Sequence, residues 1–231
     1  MTSLLLRLRG PLQAWGSSSR YNTRDTQSEP TKSGVLGLLA AAQGRRRSDA
    51  VEDLASLTFG VRVDQPGSLL RDFQTAIDWR SGKSQPLSYR YYLSDARFVA
   101  AVSGDNTMIN ALEGALRSPR FPLYLGRRSC PANPDVLIGQ HEGDVEEALQ
   151  AVPWQASRTH RRTRARVTHL PMLRDAAPGE AGDARRDVPV SFDRAHRKYD
   201  WRTVVAGAAV EIDNPDGSEP ADPFFEAVQA S

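Results

Sequence analysis

The chain has 231 residues, 39% apolar and 25% charged, with a formal net charge of +2; it can bury a core and suits one domain with an extension or two small domains. No apolar run approaches the roughly 18 residues that a membrane-crossing helix requires, and the first ten residues lack the longer apolar core and cleavage site of a secretion signal. The single cysteine, Cys130, has no internal disulfide partner and cannot build a thiolate cluster, so a reducing, cytoplasmic location without a membrane is expected.

Ser3–Arg9 (SLLLRLR) reads as a short apolar strand that Gly10-Pro11 stops, because proline cannot donate to a ladder. After a Ser/Thr/Arg loop, Thr31 or Ser33 can cap a helix whose apolar face is Val35, Leu36, Leu39 and Ala42 and which Gly44 ends. Leu57–Val63 and Arg97–Ser103 read as further strands. Between them lies an insertion, residues 74–95, in which Asp78–Tyr92 has the composition of a projecting hairpin with a polar tip at Ser81–Ser84. Asn106–Arg117 places Ile109, Leu112 and Leu116 at helical spacing, and Phe121–Leu125 is expected to supply a fourth strand.

The order β-α-β, insertion, β-α-β predicts an α+β fold of the ferredoxin-like βαββαβ type over residues 1–148, one sheet with two helices on one face and the other face free for a ligand. Residues 149–231 form an extension of strands and irregular chain. There Val152–Leu170 can form one or two strands, Pro178–Asp187 a loop, and Val188–Phe192 and Thr203–Ile212 strands; from Asn214 the chain is turn-rich and expected to be mobile.

Only Lys32, Lys83 and Lys198 are lysines among 30 basic residues; the rest are arginines, a bias that a GC-rich genome also produces. Their placement says more. Arg158–Arg166 holds five arginines and no acid, whereas residues 204–231 hold six acids and no Lys or Arg, an asymmetry of basic surface and acidic tail. The basic run is either a solvated strand face or a phosphate-tracking stripe, with Arg162 at its middle.

The loop after the first strand gathers Gln13, Trp15, Ser17–Ser19, Arg20, Tyr21 and Arg24 with no acid before Asp25. Arginine supplies planar donors that match phosphate and the aromatics supply faces for unstacked bases; the alternative is a core Trp15 in an ordinary loop. Backbone N–H groups at the start of the first helix, beside Lys32 and Ser33, can hold a phosphate or simply be capped. Arg127-Arg128 follow the expected fourth strand. Cys130 reads as a buried side chain rather than a nucleophile, and the scattered His141, His160, His169 and His196, with Asp105, Asp135 and Asp144, show no metal-ligand spacing, so neither metal nor cofactor is expected.

The segments RLRGPLQAWG, PTKSGVLGLLAAAQG, LRDFQTA and YLGRRSCP, in that order between Leu4 and Pro131, together resemble the CasD family, RAMP proteins of the type I-E CRISPR complex Cascade. The resemblance implies a RAMP fold with a protruding thumb, no catalysis, and a subunit that grips the 5′ handle of the guide RNA (crRNA). It also implies contact with a CasC-type backbone subunit and a CasA-type large subunit, and through them with target DNA. Gln13, Trp15, Arg24, Lys32 and Ser33 match the family's first loop and helix start, and Arg127 and Arg128 its LGRRSCP segment; a handle-binding role follows for these. Lys83 at the hairpin tip, Arg90 and Tyr91 on its second arm, Arg20 and Arg162 join them by their chemistry. The alternative is a metal-independent endoribonuclease with His160, or His196 with Lys198 and Tyr199, as its base.

Overall fold

The computed structural model describes residues 1–16, 23–193 and 195–218; Arg20 and the acidic residues from Glu219 onward lie outside them. Strand β1 (Thr2–Arg9) is followed by the two-residue strands β2 (Leu12–Gln13) and β3 (Thr23–Arg24) and by helix α1 (Lys32–Gln43). Thr31 caps α1 by accepting from Gly34 N–H, and Gly44 ends it in the left-handed conformation, both at the expected positions. A short helix α2 (Glu52–Ala55) leads into β4 (Thr58–Gln65), the hairpin β5 (Ser68–Gln74) and β6 (Ser88–Ser94), and β7 (Arg97–Gly104). Helix α3 (Asn106–Arg117) buries Ile109, Leu112 and Leu116, as its spacing requires.

The rest comprises β8 (Leu137–Glu142), α4 (Val145–Ala151), α5 (Arg158–Arg162), β9 (Val167–Leu170), β10 (Met172–Asp175), β11 (Asp183–Ser191), β12 (Lys198–Ala206) and β13 (Val210–Asp213). The architecture is mixed α/β and strand-rich. Seven strands form one sheet in the order β11-β12-β10-β4-β7-β1-β8, antiparallel throughout. The extension thus continues the sheet beyond β4, and α4 runs across the 148/149 position.

The fourth strand is β8, not Phe121–Leu125, whose Pro122 and arginine-rich sequel form a loop tied by the bridge Tyr124↔Pro131. The second face of the sheet is not free: Leu5, Val99 and Ala101 bury against Val145, Ala148 and Leu149 of α4 and against Trp154. Its centre holds a wholly buried ion pair, Arg62 Nε to Asp64 Oδ1 at 2.8 Å. The Arg62 guanidinium also donates to the carbonyls of Leu149, Val152 and Pro153, so it ties the end of α4 to β4 and leaves no donor unmatched. The first part of the arginine run, Arg158–Arg162, is a helix, α5, and not a strand, and Asn214 is an anchor rather than the start of a mobile tail. It is 2% exposed and its amide donates to the carbonyls of Arg161 and Ala165. The last part of the expected Pro178–Asp187 loop is likewise strand, since β11 starts at Asp183.

Candidate nucleic-acid interface

A second sheet projects from the end of the first. Strand β6 pairs with β5 along its whole length, and its other edge takes β2 near Leu93-Ser94 and β3 near Tyr89-Arg90. The hairpin begins at Ser68, six residues before the expected insertion, because exposed β5 lacks the alternation that marks a half-buried strand. Cross-strand register puts Leu69, Arg71 and Phe73 on one face with Tyr89, Tyr91 and Leu93. Leu69 and Phe73 are about two-thirds exposed, and the Arg71 guanidinium lies 5.4 Å from the centre of the Tyr89 ring. At the tip the Asp78 carboxylate accepts from the N–H groups of Arg80 and Ser81, which hold it below the usual carboxylate range. Trp79 there is 85% exposed beneath Arg80, and Lys83 is exposed. The arm is an extended finger of planar and cationic side chains.

Arg127 fastens the root of this finger. Its Nη1 donates to Tyr91 O at 2.9 Å, its Nη2 to Arg24 O at 2.7 Å and Asp25 O at 2.9 Å, and its guanidinium stacks 4.9 Å from the centre of the Tyr92 ring. One side chain therefore joins β6, β3 and the loop after α3. Gly126 makes the approach possible: it has φ +85°, and a Cβ there would sit 1.8 Å from Ala14 O. Parallel pairing sets Arg24 opposite Arg90. Arg24 and Arg128 are exposed, and Arg90 Nε is buried without a hydrogen-bond partner. Backbone carbonyls, not carboxylates, take the Arg127 donors, so its positive charge is not cancelled by an acid.

Four expected site residues belong to the scaffold instead. Trp15 is wholly buried; its Nε1 donates to Gln13 Oε1, and it packs so close to α1 that a Cβ on Gly34 would lie 2.7 Å from its ring. Gln13 completes its amide with the carbonyls of Leu8 and Ala96. Neither side chain can reach a base without leaving the core. The start of α1 is occupied as well: Lys32 N–H donates to Asp187 Oδ2 at 2.8 Å, Lys32 Nζ to Asp175 at 2.9 Å, and Ser33 is buried. An internal carboxylate fills the anion site that the sequence suggested for a phosphate.

Of the other expected residues, Arg24, Arg90, Tyr91, Arg127 and Arg128 gather at the finger root and Lys83 lies at its tip, while Arg162 stands apart on α5. Arg20 lies outside the described residues. Cys130 is buried, and burial pushes its thiol up, which opposes a nucleophilic role. Among the described residues no group of three or more His, Cys, Asp or Glu is placed to hold a metal ion.

The sequence pattern of the family described as CRISPR-associated protein (Cas_Cas5) matches residues 3–205, from β1 to the end of β12. The chain belongs to this family. Among Cas5 relatives, the CRISPR system Cascade subunit CasD of Escherichia coli (strain K12) is 40% identical over 167 residues, 63% of this chain and 75% of that protein. A chain of a solved CRISPR RNA-guided surveillance complex superposes with a TM-score of 0.76 at 30% identity, covering 99% of this chain and 98% of its own. The crystal structure of a Cas protein matches with a TM-score of 0.66 at 37% identity, covering 95% of this chain and 100% of its own. The match thus takes in the finger and its root.

Proposed function

We propose that this chain is a non-catalytic subunit of a type I-E surveillance complex, Cascade, and that it caps the 5′ handle of the crRNA at the root of its thumb. The thumb is the β5–β6 finger. The observation that carries this reading is the junction at which Arg127 clamps β6 to β3 while Arg24, Arg90 and Arg128 stand around it beneath an arm of exposed aromatics. Guanidiniums there match phosphates, and Tyr89, Tyr91 and Trp79 provide planes for splayed bases.

The four strands β4-β7-β1-β8, with α1 and α3 in the crossovers, are in this reading the ferredoxin-like unit, and residues 149–231 brace it from the β4 edge. Its partners would be a CasC-type backbone subunit and a CasA-type large subunit, and through them target DNA. Binding without cleavage is favoured because the Nε2 lone pair of His160 already accepts from Arg164 Nε at 3.3 Å.

The test is titration of the full chain with handle-bearing RNA over a range of salt. Arg24→Ala with Arg128→Ala is expected to weaken binding and flatten the salt dependence by about one to two in slope. Unchanged affinity at low and moderate salt would remove these residues from the site. Specific cleavage of repeat RNA that is lost on His160→Ala would replace this reading with the endoribonuclease one.

A further inference from the structure

Helix α5 and the four residues between it and β9 carry Arg158, Arg161, Arg162, Arg164 and Arg166, which the thumb root does not use. The segment is built into a defined surface. Ser157 caps α5 through His160 N–H, and both Ser157 N–H and Oγ donate to Gln65 Oε1. That glutamine ends β4 where the thumb begins, and it also donates to Asp95. On the other side the Asn214 amide takes the carbonyls of Arg161 and Ala165, and Asn214 N–H takes that of Arg166. Gly217 packs so tightly that a Cβ would lie 2.7 Å from the carbonyls of Arg164 and Ala165. With its backbone acceptors engaged on one side, the segment leaves Arg162, Arg164 and Arg166 exposed.

The charge there is not balanced. Asp216 pairs with both Arg158 and Arg161, Glu211 faces His169, and Asp213 lies opposite Val167 in the β9–β13 ladder. Against those carboxylates stand five arginines, and His160 among them is held below its usual pKa by burial and by the nearby Arg164 and Arg97 charges. The surface also lies on the other side of the sheet from the thumb root. Trp154 and Ala156, just before α5, belong to the core under α4, whereas Leu125 and Cys130, which hold the Arg127-Arg128 loop, belong to the core under α1 and α3.

We propose that Arg162, Arg164 and Arg166 form a second nucleic-acid site, separate from the thumb root, that takes the phosphodiester backbone of a duplex. The composition decides between duplex and single strand. The segment has no Phe, Tyr or Trp, and its histidine is edge-on to buried Trp154, so it offers no plane on which an unpaired base can stack. Closely spaced guanidiniums with threonine hydroxyls suit phosphates that a paired helix presents in register, read without reference to sequence. The inference rests on the proposed role in a nucleic-acid-guided complex, but on different residues.

The full chain is titrated, over a range of salt, with two probes: a blunt DNA duplex of mixed sequence, and single-stranded handle-bearing RNA. Replacing Arg162, Arg164 and Arg166 together by Ala is expected to weaken duplex binding by at least about tenfold and reduce the salt slope by roughly two to three, while handle binding stays within about twofold. The Arg24→Ala, Arg128→Ala pair should do the reverse. Unchanged duplex affinity and slope in the triple variant would overturn this site and leave the handle site standing. Equal losses for both probes in both variants would also overturn it, by showing one continuous surface. An intact handle affinity in the Arg24, Arg128 pair would instead count against the proposed handle site and leave the duplex result to be judged by itself. All three replaced side chains are exposed, so the thermal midpoint serves as a control that the fold is kept.

Discussion

Asp187 Oδ2 accepts the backbone N–H of Lys32 at 2.8 Å, across 155 residues. The same carboxylate takes Arg202 Nε at 2.6 Å, Arg202 reaches Asp175, and Asp175 returns to Lys32 Nζ. Two cations and two anions therefore close a ring between the first helix and the C-terminal strands, with the Arg202 guanidinium over the Phe59 ring.

Breaking that ring is expected to cost stability. Asp187→Ala leaves the Lys32 N–H without its acceptor and Arg202 with Asp175 alone, and a loss of about 3 kcal/mol follows for removing one member of such a network. Urea unfolding measures it. A midpoint equal to wild type would show that water replaces the carboxylate at no cost.

Arg127 has a different job from its neighbour Arg128. Because its donors end on backbone carbonyls, Arg127→Lys should loosen the thumb: a single ammonium cannot span Tyr91, Arg24 and Asp25. The expected signs are faster hydrogen exchange at the β3 and β6 amides and weaker handle binding with an unchanged salt slope. A slope reduced by about one, with exchange unaltered, would make Arg127 a direct phosphate contact instead.

Two tryptophans separate scaffold from surface. Trp15→Ala empties a fully buried site and should destabilise by about 3–5 kcal/mol, whereas Trp79→Ala, at a site 85% exposed, should leave the unfolding midpoint within error and weaken RNA binding through the lost stacking plane. Calorimetry with an RNA titration on each variant checks the pair. A normal midpoint for Trp15→Ala would mean that its ring is not needed by the core.

Acid sensitivity has a named contributor. The Arg174 guanidinium and the Ala177 N–H hold the Glu180 carboxyl down to about 2, against 4.5 when free. Since the folded value is the lower, this contribution is present above about pH 4.5 and is lost as pH falls towards 2. Glu180→Gln should therefore differ from wild type in urea midpoint near neutral pH, and the two should converge in acid. A constant difference at both ends would assign the effect to geometry instead of charge. Glu180 is exposed and Arg174 only partly buried, so the change is small and shrinks in high salt.

Local signals alone determined the elements that bury one face: the Pro11 stop after β1, the cap of α1 at Thr31 or Ser33 and its Gly44 end, the spacing of Ile109, Leu112 and Leu116. These depend on residues within a few positions of one another, and hydrophobic periodicity with capping chemistry is enough to read them. The four motifs between Leu4 and Pro131 likewise carry the resemblance to Cascade proteins by themselves. What the sequence could not reveal was the use of each side chain. Trp15, Gln13, Lys32 and Ser33 sit in motifs that look like a ligand loop, and their burial is decided by partners up to 155 residues away. β5 is exposed along its length and so carries no alternation to read; the arginine run has no apolar face, and Asn214 and Asp216 hold it as α5 from a distance. Only the tertiary structure separates an arginine that clamps carbonyls, Arg127, from one left in solvent, Arg128, because that difference lies in where distant backbone groups come to rest.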